Sequence, residues 1–246
     1  MIFCRLDLYF FPILDIYTPI DRTILGYKEL FSPIRRFSMK KAAVIHDLSG
    51  FGKCSLTAAI PVLSALGVQC CPVATAVLTG QTGYPCYHCT DLTAMLPDYI
   101  DAWGKNNAHF DAIYSGFLTG AEQISQVLDF IHHFRKEHTL LLVDPVMGDD
   151  GNAYPFFTPG LLNGMKELTL EADVITPNLT EACLLADIPE DALLHCRTNT
   201  DLLKLAEDVA LRLQKKASHP QDVVITGVKC LSLIHISEPT RRTPIS

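Results

Sequence analysis

The chain has 246 residues, of which 48% are hydrophobic and 19% are charged, and its formal net charge is −7. This composition is typical of a globular protein with a sizeable core, and the length allows one large α/β domain or two small ones. The negative charge argues against nucleic acid or an anionic membrane as the main partner, because both bind basic surfaces. A negative net charge is nevertheless compatible with a local basic site for a phosphate ligand.

Nine cysteines, an odd number, are scattered along the chain, several of them in apolar runs such as "VQCCPVATAV". Their spacing shows no disulfide framework, so free thiols in a reducing compartment are the simplest interpretation, and we expect a cytoplasmic protein. Cys86 and Cys89 form a C-x-x-C pair. A structural zinc site needs four ligands, and no second pair is near in sequence, so metal binding by this pair is disfavoured.

Residues 1–38 differ in character from the rest. The segment "LYFFPILDIYTPI" is apolar, but Pro12 and Asp15 interrupt it, and it is too short and broken to span a bilayer. It also lacks the basic start and cleavage site of a signal peptide. Met39, followed by "KKAAVIHD", reads as a more natural start. We therefore predict an extension outside the fold at 1–38 and a domain over 39–230; the alternative is an N-terminal arm packed on the domain.

From Lys41 onward, short apolar runs alternate with helical patterns. Strands are predicted at 42–47, 68–78, 110–116, 139–146, 172–178 and 222–228. Helices are predicted at 55–67, 91–104 with a kink at Pro97, 121–137, 180–188 and 200–216. Pro72 places the start of the second strand at an edge or a bend. This alternation predicts a doubly wound, mostly parallel α/β sheet with helices on both faces.

Polar residues follow nearly every predicted strand. In a doubly wound sheet, ligands bind beyond the carboxyl ends of the strands, and these ends meet at one edge. One polar strand end is ordinary loop chemistry, whereas six that converge favour a ligand site. The strand ends are Asp47, 79–82, 114–117, Asp144, Asn178 and Thr226.

The first of these ends opens the segment "HDLSGFGKCSL" at 46–56. A P-loop requires G-x-x-x-x-G-K-[ST], but Asp47 stands at its first glycine and Cys54 at its hydroxyl position. The dinucleotide fingerprint G-x-G-x-x-G fails at its third glycine, where the chain has Ser55. Gly50 and Gly52 permit a close approach of backbone to ligand, and a plain tight turn explains them equally well.

The segment "VDPVMGDDGNAY" carries three carboxylates within seven residues, Asp144, Asp149 and Asp150. They repel each other unless a cation joins them, and a hydrated Mg²⁺ bound to phosphate suits such a set. The alternative is a solvated acidic turn, which explains Asp149 and Asp150 well and Asp144 poorly.

The next strand end, "TPNLTEA" at 176–182, follows the same logic. Asn178 is placed to cap the following helix and Glu181 is the third residue of that helix, which is the pattern of a capping box. A helix start beside Asp144 is also a place for phosphate and its metal. A structural cap and a phosphate site are equally supported here.

Taken together, these segments resemble the ribokinase-like superfamily of small-molecule kinases and, within it, the pyridoxal (pyridoxine, pyridoxamine) kinases of vitamin B6 salvage. The motifs "HDLSGFGKCSLT", "TAVLTGQTG", "YSGFL", "VDPVMGDDG", "TPNLTEA" and "VITGV" occur in the order and spacing of that family, from about Met39 to Lys229. The resemblance implies transfer of the γ-phosphoryl group of ATP to the 5′-hydroxymethyl of a B6 vitamer, with Mg²⁺. It also implies a homodimer with no nucleic-acid or membrane partner.

The resemblance also implies roles for individual residues. Substrate contacts are expected at Asp47, Ser49, Thr82 and Phe117; nucleotide and phosphate contacts at Asp144, Asn178, Glu181 and Thr226; and Mg²⁺ ligation at Asp144, Asp149 and Glu181. Asp47 stands where many pyridoxal kinases have a serine. Hydroxymethylpyrimidine kinase is the alternative enzyme, although its first loop usually reads glycine-glycine-alanine-glycine. The alternative outside catalysis is a pyridoxal-binding module.

The last segment departs from the family. In the family, the general base is an aspartate in a "GTGD"-type loop beyond the strand that ends in "VITG". This sequence has no counterpart of that loop, so no catalytic base is assigned. Residues 231–246, "LSLIHISEPTRRTPIS", resemble the translation of a sequencing-library adapter. The sequence therefore predicts a kinase domain incomplete at its C-terminus, followed by a non-native tail. We expect the chain to be inactive, because the base and the anion hole of that loop supply transition-state stabilisation.

Overall fold

The computed structural model describes residues 39–154, 156–189, 192–193, 196 and 198–228. The predicted extension 1–38 and the predicted tail 231–246 lie outside the described residues. The strands are β1 (Lys41–Ser49), β2 (Gln69–Leu78), β3 (Cys89–Asp91), β4 (Ala112–Ser115), β5 (Leu140–Val143), β6 (Gly148–Asp149), β7 (Asn152–Ala153), β8 (Val174–Ile175) and β9 (Asp222–Val223). The helices are α1 (Ser55–Ala65), α2 (Leu96–Lys105), α3 (Ala121–Phe134), α4 (Pro159–Glu171), α5 (Leu179–Leu185) and α6 (Asn199–Lys216).

Seven of these strands form one sheet in the order β3-β2-β1-β4-β5-β8-β9. All neighbours pair in parallel except β2 and β3, which are antiparallel. The strand order reverses at β1, as in a doubly wound sheet, so the predicted mostly parallel α/β fold is confirmed. The short hairpin β6–β7 forms a separate two-stranded sheet.

The pairing of β2 explains how a proline fits in it. Pro72 pairs with Val44 of β1, while β3 pairs with residues 76–78 of β2, so among the described residues no strand pairs with the other side of β2 at Pro72. A proline there removes no ladder hydrogen bond, as the sequence predicted. Farther along, the partner of β1 moves from Ala74 to Val77 while β1 advances from His46 to Leu48. This bulge takes Thr75 out of the regular ladder.

Two predicted features of the next segment are wrong. Helix α2 begins only at Leu96, and Pro97 lies in its first turn, where a missing N–H breaks no helical bond, so no kink arises. The preceding residues instead form the edge strand β3 and a 3₁₀ turn, Thr93–Met95.

Helix α4 has no counterpart among the predicted elements. Thr158 caps it by accepting a hydrogen bond from the Leu161 backbone N–H at 3.1 Å, and Pro159 occupies the first turn. The helix is the crossover between the parallel strands β5 and β8, and it buries Leu161, Met165 and Leu168.

The main core lies between the sheet and helices α2 to α6. The apolar face of α3 is buried, with Ile124, Val127 and Ile131 at 1% exposure or less. Burying such a side chain stabilises the fold by roughly 1.5–3 kcal/mol, so α3 anchors this face of the sheet. No helix within the described residues is long and apolar enough to cross a membrane.

Candidate active site

A cavity of about 550 Å³ opens at the carboxyl ends of the central strands. The end of β1, one face of α1, and the loops that follow β2, β4 and β5 form its walls. Five predicted site residues line it: Asp47, Ser49, Thr82, Phe117 and Asp144. The parallel topology therefore brings together residues spaced over almost a hundred positions, because all these strands end at one edge.

The floor of the cavity is polar. Asp47 and Ser49 are buried, and the Ser49 hydroxyl donates a hydrogen bond to Asp47 Oδ2 at 2.8 Å. This bond fixes the Asp47 carboxylate while leaving acceptor capacity for a ligand.

Backbone hydrogen bonds join the glycine loop after β1 to the loop after β2. The Gly50 N–H donates to the Leu78 carbonyl at 2.8 Å, and the Gln81 N–H donates to the Phe51 carbonyl at 2.9 Å. A Cβ on Gly50 would lie 3.1 Å from a backbone oxygen, and Gly52 has a φ of +106°. The glycines therefore serve loop packing around the cavity, and this loop forms no phosphate cradle of the P-loop type.

Aromatic rings close one side of the cavity. Phe117 is 8% exposed and contacts Phe156 edge-on, with ring centroids 5.2 Å apart. Thr82 lies nearby on the loop after β2, exposed to the cavity. An apolar wall facing polar groups such as Asp47 suits a flat heteroaromatic ligand that carries hydroxyl groups.

Two carboxylates, the half-buried Asp144 and the buried Glu181, lie at or just beneath the rim of the cavity. Burial raises the pKa of Asp144 to about 6. Burial also raises the pKa of Glu181 to about 7; backbone hydrogen bonds from Asn178 and Met147 oppose this rise and the nearby charge of Asp144 adds to it. The charge of Asp144 therefore acts on Glu181, and the two carboxylates lie within electrostatic range of each other.

Glu181 does not line the cavity but lies beneath the loop after β5. It is 3% exposed, and its carboxylate accepts hydrogen bonds from the Met147 N–H at 3.1 Å and the Asn178 N–H at 2.8 Å. Asn178 Oδ1 in turn accepts from the Glu181 N–H at 3.0 Å, so the capping box is formed. Asn178 Nδ2 donates to the Gly148 carbonyl at 2.7 Å and ties this helix to the acidic loop.

The remaining two predicted residues lie farther out. Thr226 is exposed and forms an isolated parallel bridge with Asn178, which places it at the same edge of the sheet. Asp149 is exposed on the β6–β7 hairpin, where its Oδ1 accepts from the Asp150 N–H at 2.8 Å. Its charge contributes to the raised pKa of Tyr154, which burial raises first and four nearby carboxylates raise further.

The donor chemistry of the rim suits a hard divalent cation. No ion pair among the described residues involves Asp144, which is half-buried, or Glu181, which is 3% exposed. Over the same residues, no group of three His, Cys, Asp or Glu side chains is arranged to hold a metal ion. Mg²⁺ keeps several waters and phosphate oxygens as ligands, so it needs only one or two protein carboxylates, and these two fit it.

Sequence reasoning missed His46 and Tyr114, which also line the cavity. His46 is 4% exposed, burial lowers its pKa to about 4, and its ring meets Tyr114 edge-on at 4.4 Å. A Cβ on Gly116 would lie 1.9 Å from His46 Cε1, so only glycine leaves room for this ring. The signal was a histidine inside an otherwise apolar strand, next to the glycine of "YSGFL".

A comparison with known protein families shows to which family the chain belongs. A family model described as phosphomethylpyrimidine kinase matches residues 52–239, more than half of the 246 residues. The chain belongs to this family. Membership in this family of kinases confirms the prediction of a small-molecule kinase fold.

Solved relatives of this family share the architecture. A proposed phosphomethylpyrimidine kinase from Bacteroides thetaiotaomicron, crystallised with pyridoxal, is 44% identical, with a TM-score of 0.70 over 78% of this chain and 64% of that one. Pyridoxal kinase from Lactobacillus plantarum is 30% identical, with a TM-score of 0.67 over 78% of this chain and 65% of that one. These matches confirm the resemblance to pyridoxal kinases.

A curated relative supports the same kinship. The pyridoxine/pyridoxal/pyridoxamine kinase of Bordetella avium is 34% identical over 143 residues, which cover 55% of this chain and 47% of that protein. The chain thus spans less than two thirds of the length of each of these three relatives.

Proposed function

We propose that this protein carries the binding site of a kinase that acts on the 5′-hydroxymethyl group of pyridoxal, pyridoxine or pyridoxamine, with ATP as the phosphoryl donor. The observation that carries the proposal is the cavity, where a polar floor and an aromatic wall meet two carboxylates with raised pKa values, Asp144 and Glu181. The pyridoxal in the crystal of the Bacteroides relative supports a B6 vitamer as the ligand. The kinase family supports ATP as the donor.

Different walls of the cavity contact different parts of the substrate. The pyridine ring lies against Phe117, because aromatic faces and edges attract each other. Its polar substituents reach the hydrogen-bonded pair Asp47 and Ser49 and the hydroxyl of Thr82. A volume of about 550 Å³ is in the ordinary range for a small-molecule site, with room for the vitamer and the transferred phosphoryl group.

The rim holds the phosphate end of the donor. In this proposal Asp144 and Glu181 bind Mg²⁺ together with water, Asp149 adds negative charge beside the site, and Asn178 and Thr226 contact the nucleotide. When bound, Mg²⁺ neutralises charge that develops on the phosphoryl oxygens. Glu181 also orients Asn178 through the capping box, so the same carboxylate links the start of α5 to the rim.

Binding and turnover of a panel of substrates test the proposal. Titration calorimetry with the 246-residue chain is expected to detect pyridoxal, pyridoxine and pyridoxamine, and Asp47→Ala is expected to weaken each by about tenfold, the value of one charge-assisted hydrogen bond. Asp129→Ala, an exposed carboxylate on α3, is the control. No binding of any vitamer, or equal binding by the Asp47 variant, contradicts the proposal.

Hydroxymethylpyrimidine kinase is the second candidate, and the description of the family model favours it. The ring of that substrate is also flat and heteroaromatic, so the cavity alone does not separate the two. Hydroxymethylpyrimidine therefore belongs in the same panel. A dissociation constant for hydroxymethylpyrimidine at least tenfold lower than that for pyridoxal favours this second candidate.

Chemistry is assayed separately, as phosphorylated vitamer formed from ATP and Mg²⁺. The expectation that the 246-residue chain forms no product stays a prediction, and measurable product contradicts it. If the protein is a pyridoxal-binding module without catalytic activity, it should bind the vitamer. It should then form no product even in a variant to which the loop with the general base has been added. The homodimer and the cytoplasmic location also stay predictions; light scattering and cell fractionation check them.

A further inference from the structure

A buried polar network lies behind the aromatic wall of the cavity. Its centre is Gln123, in the first turn of α3 and 1% exposed. Its Nε2 donates hydrogen bonds to the Thr75 carbonyl at 2.9 Å and to Thr93 Oγ1 at 3.0 Å, and its Oε1 accepts from the Thr119 N–H at 2.9 Å. One amide therefore joins β2, the 3₁₀ turn and the loop between β4 and α3.

Thr75 extends the network to the residue that faces the cavity. It is fully buried, and its hydroxyl donates to the Phe117 carbonyl at 2.9 Å. The bulge between β1 and β2 frees this side chain to reach the neighbouring loop instead of facing a regular ladder partner. Because the Thr75 carbonyl also accepts from Gln123, the two side chains act as one unit on the loop.

The far end of the loop is held in the same way. The Thr119 hydroxyl donates to Asp91, whose other carboxylate oxygen accepts from the Thr93 N–H at 2.7 Å. The loop of residues 116–120, which carries Phe117, is thus fixed by side-chain hydrogen bonds at both ends. The part of the network around Gln123 and Thr75 is buried, and the Gln123 amide uses both its donors and its acceptor. A satisfied buried network of this kind specifies one conformation, whereas apolar contacts alone leave loops freer to move.

We infer that Gln123 and Thr75 are positioning residues that hold the Phe117 ring in the place where it contacts the substrate. The inference rests on the proposed function, since it takes Phe117 as the wall against which the pyridine ring lies. The rest of the buried face of α3 is apolar, so the glutamine breaks the pattern of the helix. A buried amide costs free energy unless all its partners are present, and here both its donors and its acceptor are used.

Two near-isosteric substitutions remove the network without removing volume. Gln123→Met deletes all three amide hydrogen bonds, and Thr75→Val deletes the hydroxyl that binds the Phe117 carbonyl. Thr75→Ser keeps that hydroxyl and is the conservative rescue. Gln126→Met is the matched control on the same helix, because Gln126 is half-buried and its Oε1 has no hydrogen-bond partner within the described residues.

Calorimetry on the full chain measures two dissociation constants for each variant, that of pyridoxal and that of ADP with Mg²⁺. We expect Gln123→Met and Thr75→Val to weaken pyridoxal by roughly tenfold and to leave ADP within about twofold, since the loop faces only the vitamer. Thr75→Ser and Gln126→Met stay close to wild type. A merely structural role would instead weaken both ligands together.

The outcomes separate this inference from the proposed function. If the wild-type chain binds no pyridoxal, the proposed function and the inference both fall. If the wild type binds pyridoxal and neither substitution weakens it, or if both ligands weaken equally, the inference alone is wrong. Should Gln123→Met fail to fold, the pair Thr75→Val and Thr75→Ser gives the same decision.

Discussion

Replacing Asp144 by asparagine removes a half-buried carboxylate at the rim, and we expect the variant to be more stable than wild type at high pH. Burial raises the pKa of this carboxyl from 3.8 to about 6. Between these values the folded chain keeps a proton that the unfolded chain has released, so the free energy of unfolding falls as pH rises through this window.

The magnitude follows from the pKa difference. The rise from 3.8 to about 6 corresponds to about 3 kcal/mol as an upper limit, because one pKa unit is worth about 1.4 kcal/mol. Water that reaches Asp144 through the open cavity lowers this desolvation penalty, so we expect a gain of about 1–2 kcal/mol at pH 8. At pH values well below 3.8, the pKa of the unfolded chain, the carboxyl is protonated in both states, so most of the gain is lost at pH 4 and all of it at lower pH.

Urea unfolding followed by circular dichroism at pH 4 and pH 8 measures this difference. Asp129→Asn, an exposed carboxylate on α3, is the control and should match wild type at both pH values. An Asp144→Asn chain that is equally or less stable than wild type at pH 8 would refute the reasoning, because the rim would then carry no electrostatic strain.

Three further changes probe the rim and the cavity. At pH 8, millimolar Mg²⁺ is expected to raise the melting temperature of wild type by relieving carboxylate repulsion at the rim, but not that of Asp144→Asn; equal shifts would contradict this. Gly116→Ala places a Cβ 1.9 Å from His46 Cε1, so it should cost about 1–3 kcal/mol in urea unfolding. Adding His46→Ala should recover part of that loss, whereas Gly120→Ala, whose Cβ meets nothing within 4 Å, should be near neutral; strictly additive effects would exclude the contact. Asn178→Ala removes the cap of α5 and should cost about 1–2 kcal/mol in the same assay, a value that an unchanged midpoint would contradict.

The sheet could be predicted because its signals are local. Strands such as β5 are continuous apolar runs, and α3 repeats its apolar residues at helical spacing. Edge strand β3 could not be found in this way, because its three residues are exposed and show no pattern. Helix α4 contains Gly160 and Gly164, which weaken its apolar periodicity. Thr158 followed by Pro159 is nevertheless a recognisable start signal for this helix.

The site was predictable to the extent that it depends on strand ends. Asp47 and Asp144 follow apolar strands of a parallel sheet, so topology alone brings them to one edge. The sequence does not show that Glu181 is buried beneath the loop after β5, or that Gln123 reaches three separate segments. Both depend on how elements pack across the sheet, which no local pattern records.

The central claim is that the cavity between Asp47 and Phe117 binds the vitamer while the carboxylates of Asp144 and Glu181 bind the metal. A crystal structure of the chain soaked with pyridoxal, ADP and Mg²⁺ tests it most directly. We predict the pyridine ring against Phe117, with a hydroxyl group within hydrogen-bond distance of Asp47, and Mg²⁺ on the Asp144 side of the cavity. Pyridoxal bound at another surface, or a cavity filled while the metal lies away from both carboxylates, would contradict the account.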